Sequence, residues 1–372
     1  MASQAPIRTI PFSHDSAFGE SVIDSDATIR VLLSLMDSTE DTIMTLPVVC
    51  SLRDHFPDAF IGYVVEPKST QVVQGHEAVD EVIELPRRWY ASISGLMDAR
   101  RSLRTHQFDC VIDCQGNAKS ALAGYLSGAS RRIGLATASY SDWSQKIRFG
   151  LTGWLHNEKV IPVFHHVTDR SLELLTPLGI HHPLVRWDFP VDHTDQVWAG
   201  EYRRKIHSAH IAIVDPGGDW PSKRWETDRY ASTSRYLADR YGYHTLVIWN
   251  TFDERLLAEE IVSLSEGTAS LAPSTSLRTI AALIQTADLF LGGDSAALHL
   301  SVALGISTVG LYGATRPDTS GPYHQTALQI RYEEGSRRHR RRADNRAMRD
   351  IGVEHVCSAI DQLHAARGVR AA

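Results

Sequence analysis

The stretch LFLGGDSAALHLSVALGISTVGLYGATRPDTSGPY, from Leu289 to Tyr323, decides how the chain folds. Leu289–Gly292 is a short apolar run closed by paired glycines, and Asp294 and Ser295 are the residue types that start helices. Ser295–Leu304 carries helical spacing before Thr308–Leu311 restarts as a β-branched run. Strand, helix and strand in that order make a βαβ unit, the building block of a parallel sheet with helices on its faces.

The same alternation runs outward through both halves. Ile211–Asp215 and Thr245–Trp249 read as further strands, with helices near Asp228–Tyr241, Asp253–Leu264 and Ser276–Thr286. In the first half, strands are expected at Ile29–Leu35, Ala59–Val65, Glu81–Leu85 and Asp109–Asp113. Helices are expected at Asp41–His55, interrupted by Pro47, and at Tyr90–His106, Ala118–Leu126 and His166–Leu178, the last stopped by Gly179. Arg131–Leu155 is less regular, and Pro183 and Pro190 lie in a stretch without period. These features predict an α/β chain with a flexible extension at 1–28, an open α/β domain at 29–185, a linker at 186–207, a second open α/β domain at 208–350, and a C-terminal helix and tail at 351–372. Open parallel sheets bind ligands beyond the carboxyl ends of their strands. Two such domains facing each other are expected to leave a central cleft, with the chemistry in the loops that follow the strands.

Composition narrows the classes. The 372 residues are 43% hydrophobic and 22% charged, enough apolar material for two cores. A formal net charge of -6 disfavours a general nucleic-acid binder. The basic residues comprise 6 lysines against 32 arginines, so each lysine in a loop after a strand stands out. Cys50, Cys110, Cys114 and Cys357 lack metal or redox spacing and read as reduced thiols of a cytoplasmic protein. No apolar run is long enough to span a membrane, which leaves peripheral contact as the one membrane role open. Asp24-Ser25-Asp26 is nominally a DxD metal motif but sits on a polar leader, and adjacent His165-His166 has no third ligand. No metal and no resident cofactor are called for.

Two loops in the second half suit a diphosphate. After Gly292-Gly293, the start of the Ser295 helix offers backbone N–H groups, with Ser295 and His299 one turn apart. The plainer alternative is that Asp294 caps the helix and His299 packs beneath the sheet. DPGGDWPSKRW, Asp215–Trp225, also follows a strand; Gly217 and Gly218 make a tight turn, and the Lys223 ammonium could neutralise a leaving diphosphate or merely be solvated.

Three first-half loops suit an acceptor. SLMDSTEDTIMTLP, Ser34–Pro47, brings Asp37, Glu40 and Asp41 to the end of the first strand, where a carboxylate could serve as general base or simply favour a helix N-terminus. Gln115 and Lys119 lie in DCQGNAKS, and Arg87 and Arg88 precede Trp89 as two guanidinium forks suited to carboxylate or phosphate.

Together with FPDAFIGYVVE, AVDEVIELPRRWY, GGDSAALHLSVALGISTVGLYGATRPD and AMRDIGVEHV, these motifs resemble the ADP-heptose-dependent heptosyltransferases of lipopolysaccharide core assembly, glycosyltransferase family 9. The resemblance runs from Ile29 to about Leu363, and the DCQGNAKS and RRW segments look most like the heptosyltransferase I branch. It implies a GT-B fold of two Rossmann-like domains and an inverting, metal-independent transfer of heptose from ADP-heptose to the Kdo region of lipopolysaccharide, at the inner face of the inner membrane. By motif, Asp41 falls on the catalytic base and Lys223 on the lysine at the donor phosphates. Asp294, Ser295, Ala296 and His299 fall on the donor loop, with Gly217 and Gly218 opposite. Glu254 falls on the acidic residue at the donor ribose, and Arg87, Arg88, Gln115 and Lys119 on the acceptor side.

The chain departs from the pattern in several places, among them the absence of a lysine early in the Asp41 loop. Glu40 stands where the family has glycine before its aspartate, and Ala296 where it has glycine after Asp-Ser. The basic run Ser336–Met348 replaces a cysteine-rich stretch and reads as a solvated loop. The acidic net charge favours a second reading, the same donor chemistry on a soluble aminoglycoside or nucleoside-type natural product. Glu40 and Ala296 motivate a third, a catalytically weak sugar-nucleotide binding or scaffold protein.

Overall fold

The computed structural model describes residues 28–36, 38–136 and 153–371, without the side chains of residues 337 and 367–371. Most of the expected extension, with Asp24-Ser25-Asp26, and Asp37 lie outside the described residues. The chain divides after Pro190 into two units.

In the first unit, β1 (Arg30–Ser34), β2 (Phe60–Val65), β3 (Glu81–Glu84), β4 (Cys110–Asp113), β5 (Arg131–Leu135) and β6 (Glu158–Val160) form one parallel sheet in the order β3-β2-β1-β4-β5-β6. Leu33 of β1 stands between Tyr63 and Ile112 of its neighbours. Helices cover the sheet because both faces are apolar. Leu32, Val64, Ile83 and Val111 pack with Ala99 and Leu103 of α2 (Ile93–Thr105) and Ala123 of α3 (Ala118–Ser127). Helix α1 (Thr39–His55) is buried continuously from Thr42 to Leu52 and packs on α4 (Val167–Glu173), whose Thr168 Oγ1 donates to the Met44 carbonyl at 3.0 Å.

That burial explains why α1 runs through Pro47 where an interruption is expected: packing on all sides outweighs the lost hydrogen bond. The Tyr90–His106 helix is shortened instead. Arg88 adopts φ 66°, a single 3-10 turn follows at Trp89–Ala91, and α2 begins after its Ser92 cap.

The second unit repeats the topology. Strands β7 (His210–Asp215), β8 (Tyr243–Val247), β9 (Ala269–Leu271), β10 (Leu289–Gly293), β11 (Ser307–Leu311) and β12 (Thr326–Leu328) lie parallel in the order β12-β11-β10-β7-β8-β9. Counted from its own first strand this is the 3-2-1-4-5-6 order of the first unit, so each sheet reverses its winding between strands one and four. The reversal points are β1/β4 and β7/β10.

The segment expected as a linker, 186–207, contains helix α5 (His193–Lys205), which belongs to the second unit. It packs on α8 (Leu277–Gln285), with Thr279 Oγ1 donating to Asp195 at 2.9 Å and Arg278 paired to Asp192 at 3.0 Å. Helices α6 (Thr227–Tyr241), α7 (Phe252–Leu264) and α9 (Ala296–Ala303) complete the βα units. The last helix, α10 (Val353–Ala371), is built into the same core through Val356, Ala359 and Ile360, and its Asp361 accepts hydrogen bonds from Tyr236 and Tyr241 at 2.6 and 2.7 Å. Among the described residues, no helix is long and apolar enough to cross a membrane.

Candidate active site

The second unit gathers its expected donor residues at the β7/β10 reversal point. Strand β10 ends at Gly293 beneath the Asp215–Lys223 loop, and a Cβ at Gly293 would lie 2.9 Å from the Lys223 carbonyl oxygen. Only glycine lets the two backbones pass this closely. Lys223 then turns its ammonium onto the Asp294 carboxylate at 2.8 Å and the Asp294 carbonyl at 3.1 Å. His299 Nε2 reaches the other Asp294 oxygen at 3.3 Å. All three side chains are buried. Burial works to raise the Asp294 pKa, but the Lys223 and His299 charges and hydrogen bonds outweigh it and hold the carboxyl well below its usual range. Trp220 forms a wall, its ring 4.8 Å from the Lys223 ammonium.

Ser295 caps α9 by accepting from the Leu298 N–H at 3.2 Å, while its own proton goes to Asp215 Oδ2 at 2.7 Å. The hydroxyl expected to meet a phosphate is therefore engaged within the protein. Ala296 is the first, half-buried residue of α9; its N–H and that of Ala297 are the orphan donors of the helix start. Asp215 is the hub that sequence reasoning passed over. Its Oδ1 accepts the Gly217 N–H at 2.9 Å, and burial, with the nearby Glu254, raises its pKa to about 6 against the Ser295 and Gly217 hydrogen bonds.

Glu254 arrives through a capping box at the start of α7: its Oε2 accepts the Asn250 and Thr251 N–H groups at 2.9 and 3.0 Å. Its Oε1 faces Gly217, where an added Cβ would lie 2.8 Å away. Gly218 completes the turn at φ 157°. The basic run, expected as a solvated loop, is helical at its start, with Arg338, Arg341 and Arg342 exposed. Arg337–Arg342 forms a helical turn against the Pro221–Lys223 turn, with Ser222 Oγ donating to the Arg340 carbonyl at 2.5 Å and Arg341 over the Trp220 ring at 5.4 Å.

The first unit assembles its residues at the β1/β4 reversal point. Asp41 is half-buried in the first turn of α1, its N–H capped by Ser38 Oγ at 3.0 Å. Met36, in the loop before it, is held by both backbone groups: its N–H donates to Gln115 Oε1 at 3.1 Å, and its carbonyl accepts from Lys119 Nζ at 2.8 Å. Lys119 also pairs with Glu66 Oε1 at 2.6 Å. Gln115 and Lys119, expected on the acceptor side, thus brace the loop that leads to Asp41, and Gln115 Nε2 is a buried donor without a partner.

Beneath them Asp113 accepts the Gln115 and Gly116 N–H groups at 3.0 and 2.7 Å and pairs with His156 Nε2 at 2.9 Å. Arg87 and Arg88 are exposed after β3, and neither is ion-paired among the described residues. With β2 intervening, two strand spacings put the end of β3 roughly 10 Å from that of β1. Among the described residues, no group of three or more His, Cys, Asp or Glu side chains is placed to hold a metal ion.

The chain is similar to several known proteins. Lipopolysaccharide heptosyltransferase 1 of Escherichia coli (strain K12) is 28% identical over 321 residues, 82% of this chain and 93% of that protein. A glycosyl transferase family 9 structure from Veillonella parvula DSM 2008 superposes with TM-score 0.74 at 21% identity, covering 90% of this chain and 97% of that one. Escherichia coli heptosyltransferase WaaC, solved with ADP, gives 0.67 at 23% identity over 90% and 97% of the two chains. The same enzyme with ADP-2-deoxy-2-fluoro heptose gives 0.66 at 21% identity over 90% and 99%. At these identities the structures speak for the shared fold. The model of glycosyltransferase family 9 (heptosyltransferase) matches residues 96–348, more than half of the chain, and the chain belongs to that family of transferases.

Proposed function

We propose that the chain transfers heptose from ADP-heptose to a hydroxyl in the Kdo region of the lipopolysaccharide inner core, inverting the anomeric centre without a metal ion. The observation that carries this reading is the buried Lys223–Asp294–His299 cluster beside the start of α9, which fixes an ammonium beside the helix N–H groups where a departing diphosphate would develop charge. The name of the Escherichia coli relative and the ADP-containing WaaC structures support the donor and the acceptor class.

In the step itself Asp41 takes the proton of the acceptor hydroxyl as its oxygen bonds to the anomeric carbon, and the bond from that carbon to the diphosphate oxygen breaks. ADP leaves carrying the electron pair, its charge met by the Lys223 ammonium and the Ala296 and Ala297 N–H groups. Glu254 has one oxygen engaged in its capping box and turns the other, Oε1, to the ribose hydroxyls. Arg87 and Arg88 answer the acid groups of the acceptor. The reaction belongs to the cytoplasm, where the nucleotide sugar is made available.

The test follows ADP release with ADP-heptose and either Kdo-lipid A or a panel of soluble aminoglycosides and nucleosides. Asp41→Ala should lower turnover about 10²–10⁴-fold while ADP binding persists. Normal turnover in that variant removes Asp41 as the base, transfer only to soluble acceptors replaces the lipopolysaccharide reading, and ADP binding without transfer to any acceptor leaves a binding protein.

A further inference from the structure

Helix α2 carries an exposed stripe that the transferase chemistry does not use. Its core flank is Leu96, Ala99 and Leu103. At 100° per residue, Ile93, Met97, Arg100, Arg101 and Arg104 fall within an arc of about 100° on another flank. Ile93 is 82% exposed and Met97 56%, with Tyr90 beside the helix start at 43%. The three arginines are exposed as well, Arg104 while donating from Nε to the Leu126 carbonyl at 3.4 Å. The stripe is therefore apolar over its first turn and basic over the next two, and Arg87 and Arg88 extend the positive charge before it. Asp98, paired to Arg101 at 3.3 Å, is the one acidic residue of the helix.

We propose that this flank of α2 is a docking surface for an anionic phospholipid bilayer. Ile93, Met97 and the Tyr90 ring enter the boundary between headgroups and acyl chains, and Arg100, Arg101 and Arg104 lie along the phosphates. Charge complementarity singles out this occupant. A second copy meeting the same face across a two-fold axis would bring the arginine rows together, whereas a bilayer supplies negative charge and apolar depth at once. The local basic stripe stands against a whole-chain charge of -6, so the attraction is confined to one face and orients the molecule. Because α2 follows β3, its apolar start lies at the carboxyl edge of the sheet, the edge where β1 leads into the Asp41 loop. A lipid-anchored acceptor would be presented there; this purpose rests on the proposed acceptor, while the docking does not.

The experiment is co-sedimentation of the full chain with vesicles of phosphatidylglycerol and phosphatidylcholine, against phosphatidylcholine alone, at low and high salt. Binding should require the anionic lipid and weaken with salt. Ile93→Glu/Met97→Glu should reduce it about tenfold or more, and Arg100→Gln/Arg101→Gln by about fivefold per arginine. ADP release with a deacylated, water-soluble acceptor should stay unchanged in both variants, which also reports that they fold. Absence of wild-type binding to anionic vesicles, or equal binding by the variants, overturns the proposal. So does a dimer in sedimentation velocity that Ile93→Glu/Met97→Glu abolishes, which would assign the face to a second copy. Vesicle binding with no transfer to any acceptor would sink the proposed acceptor and leave the docking surface standing.

Discussion

Replacing Lys223 by Met separates what this lysine does for the fold from what it does for the reaction. Its ammonium lies 2.8 Å from Asp294 Oδ2, with side-chain exposures of 10% and 8%. At an effective dielectric of about 20, Coulomb attraction at that distance is about 6 kcal/mol. Removing one partner of such a pair typically costs about 3–5 kcal/mol, because the other charge is left buried. His299 at 3.3 Å still holds the second Asp294 oxygen, which puts Lys223→Met near the lower end, about 3 kcal/mol. Lys223→Met/Asp294→Asn removes both charges and should recover most of that loss. Urea unfolding of the wild type, Lys223→Met, Asp294→Asn and the double variant at neutral pH measures the cycle, and ADP release measures turnover in the same four proteins. If Lys223 meets the leaving diphosphate, single and double variants alike lose roughly 10²–10³-fold in turnover. Turnover restored together with stability in the double variant would make Lys223 a purely structural residue. A cost below about 1 kcal/mol for Lys223→Met would mean that the pair is screened like a surface ion pair and refute the burial argument.

Asp215 gives a pH signature of opposite sense to an ordinary carboxylate. Its pKa is raised from 3.8 to about 6, chiefly by burial, so the native state favours the protonated form. That stability is fully present below about 4, is lost as pH rises through about 6 and amounts to roughly 3 kcal/mol. Unfolding measured between pH 4 and 8 should show Asp215→Asn gaining on the wild type across that window; a constant difference would mean an ordinary Asp215. In the first unit, Lys119→Met should lower kcat at unchanged ADP affinity, because the Met36 carbonyl loses its brace beside the Asp41 loop, and Lys119→Arg should restore part of it. Loss confined to the acceptor KM would instead make Lys119 a plain substrate contact.

What could be read from the chain beforehand follows the range of the interactions. Strands β1, β2, β7 and β10 are buried on both faces and show as apolar runs, and the loops after them announce themselves through glycines and N-cap residues only a few positions apart. Strand β5 begins with Arg131-Arg132, and β6, β9 and β12 have three residues each, too few to establish a period. Helix α5 buries Ala199 alone among its 13 residues, so it looked like linker. The hubs were hidden for a different reason. Asp215 meets Ser295 across 80 residues and Asp113 meets His156 across 43, pairings that only the sheet order creates. A buried aspartate ending a strand just before a glycine turn is the local mark of both, visible once the strand order is known.

The bracing of Met36 also limits how such a protein can diverge. Lys119 and Gln115 are expected on the acceptor side, yet each holds one backbone group of the residue five positions before Asp41. A substitution there that improves the fit of a different acceptor simultaneously shifts the loop that leads to Asp41, the proposed base. Changes of acceptor preference are therefore expected to enter through the periphery, at Arg87 and Arg88, where side chains stand free of the scaffold. The β4 loop should drift slowly, constrained by two obligations at once.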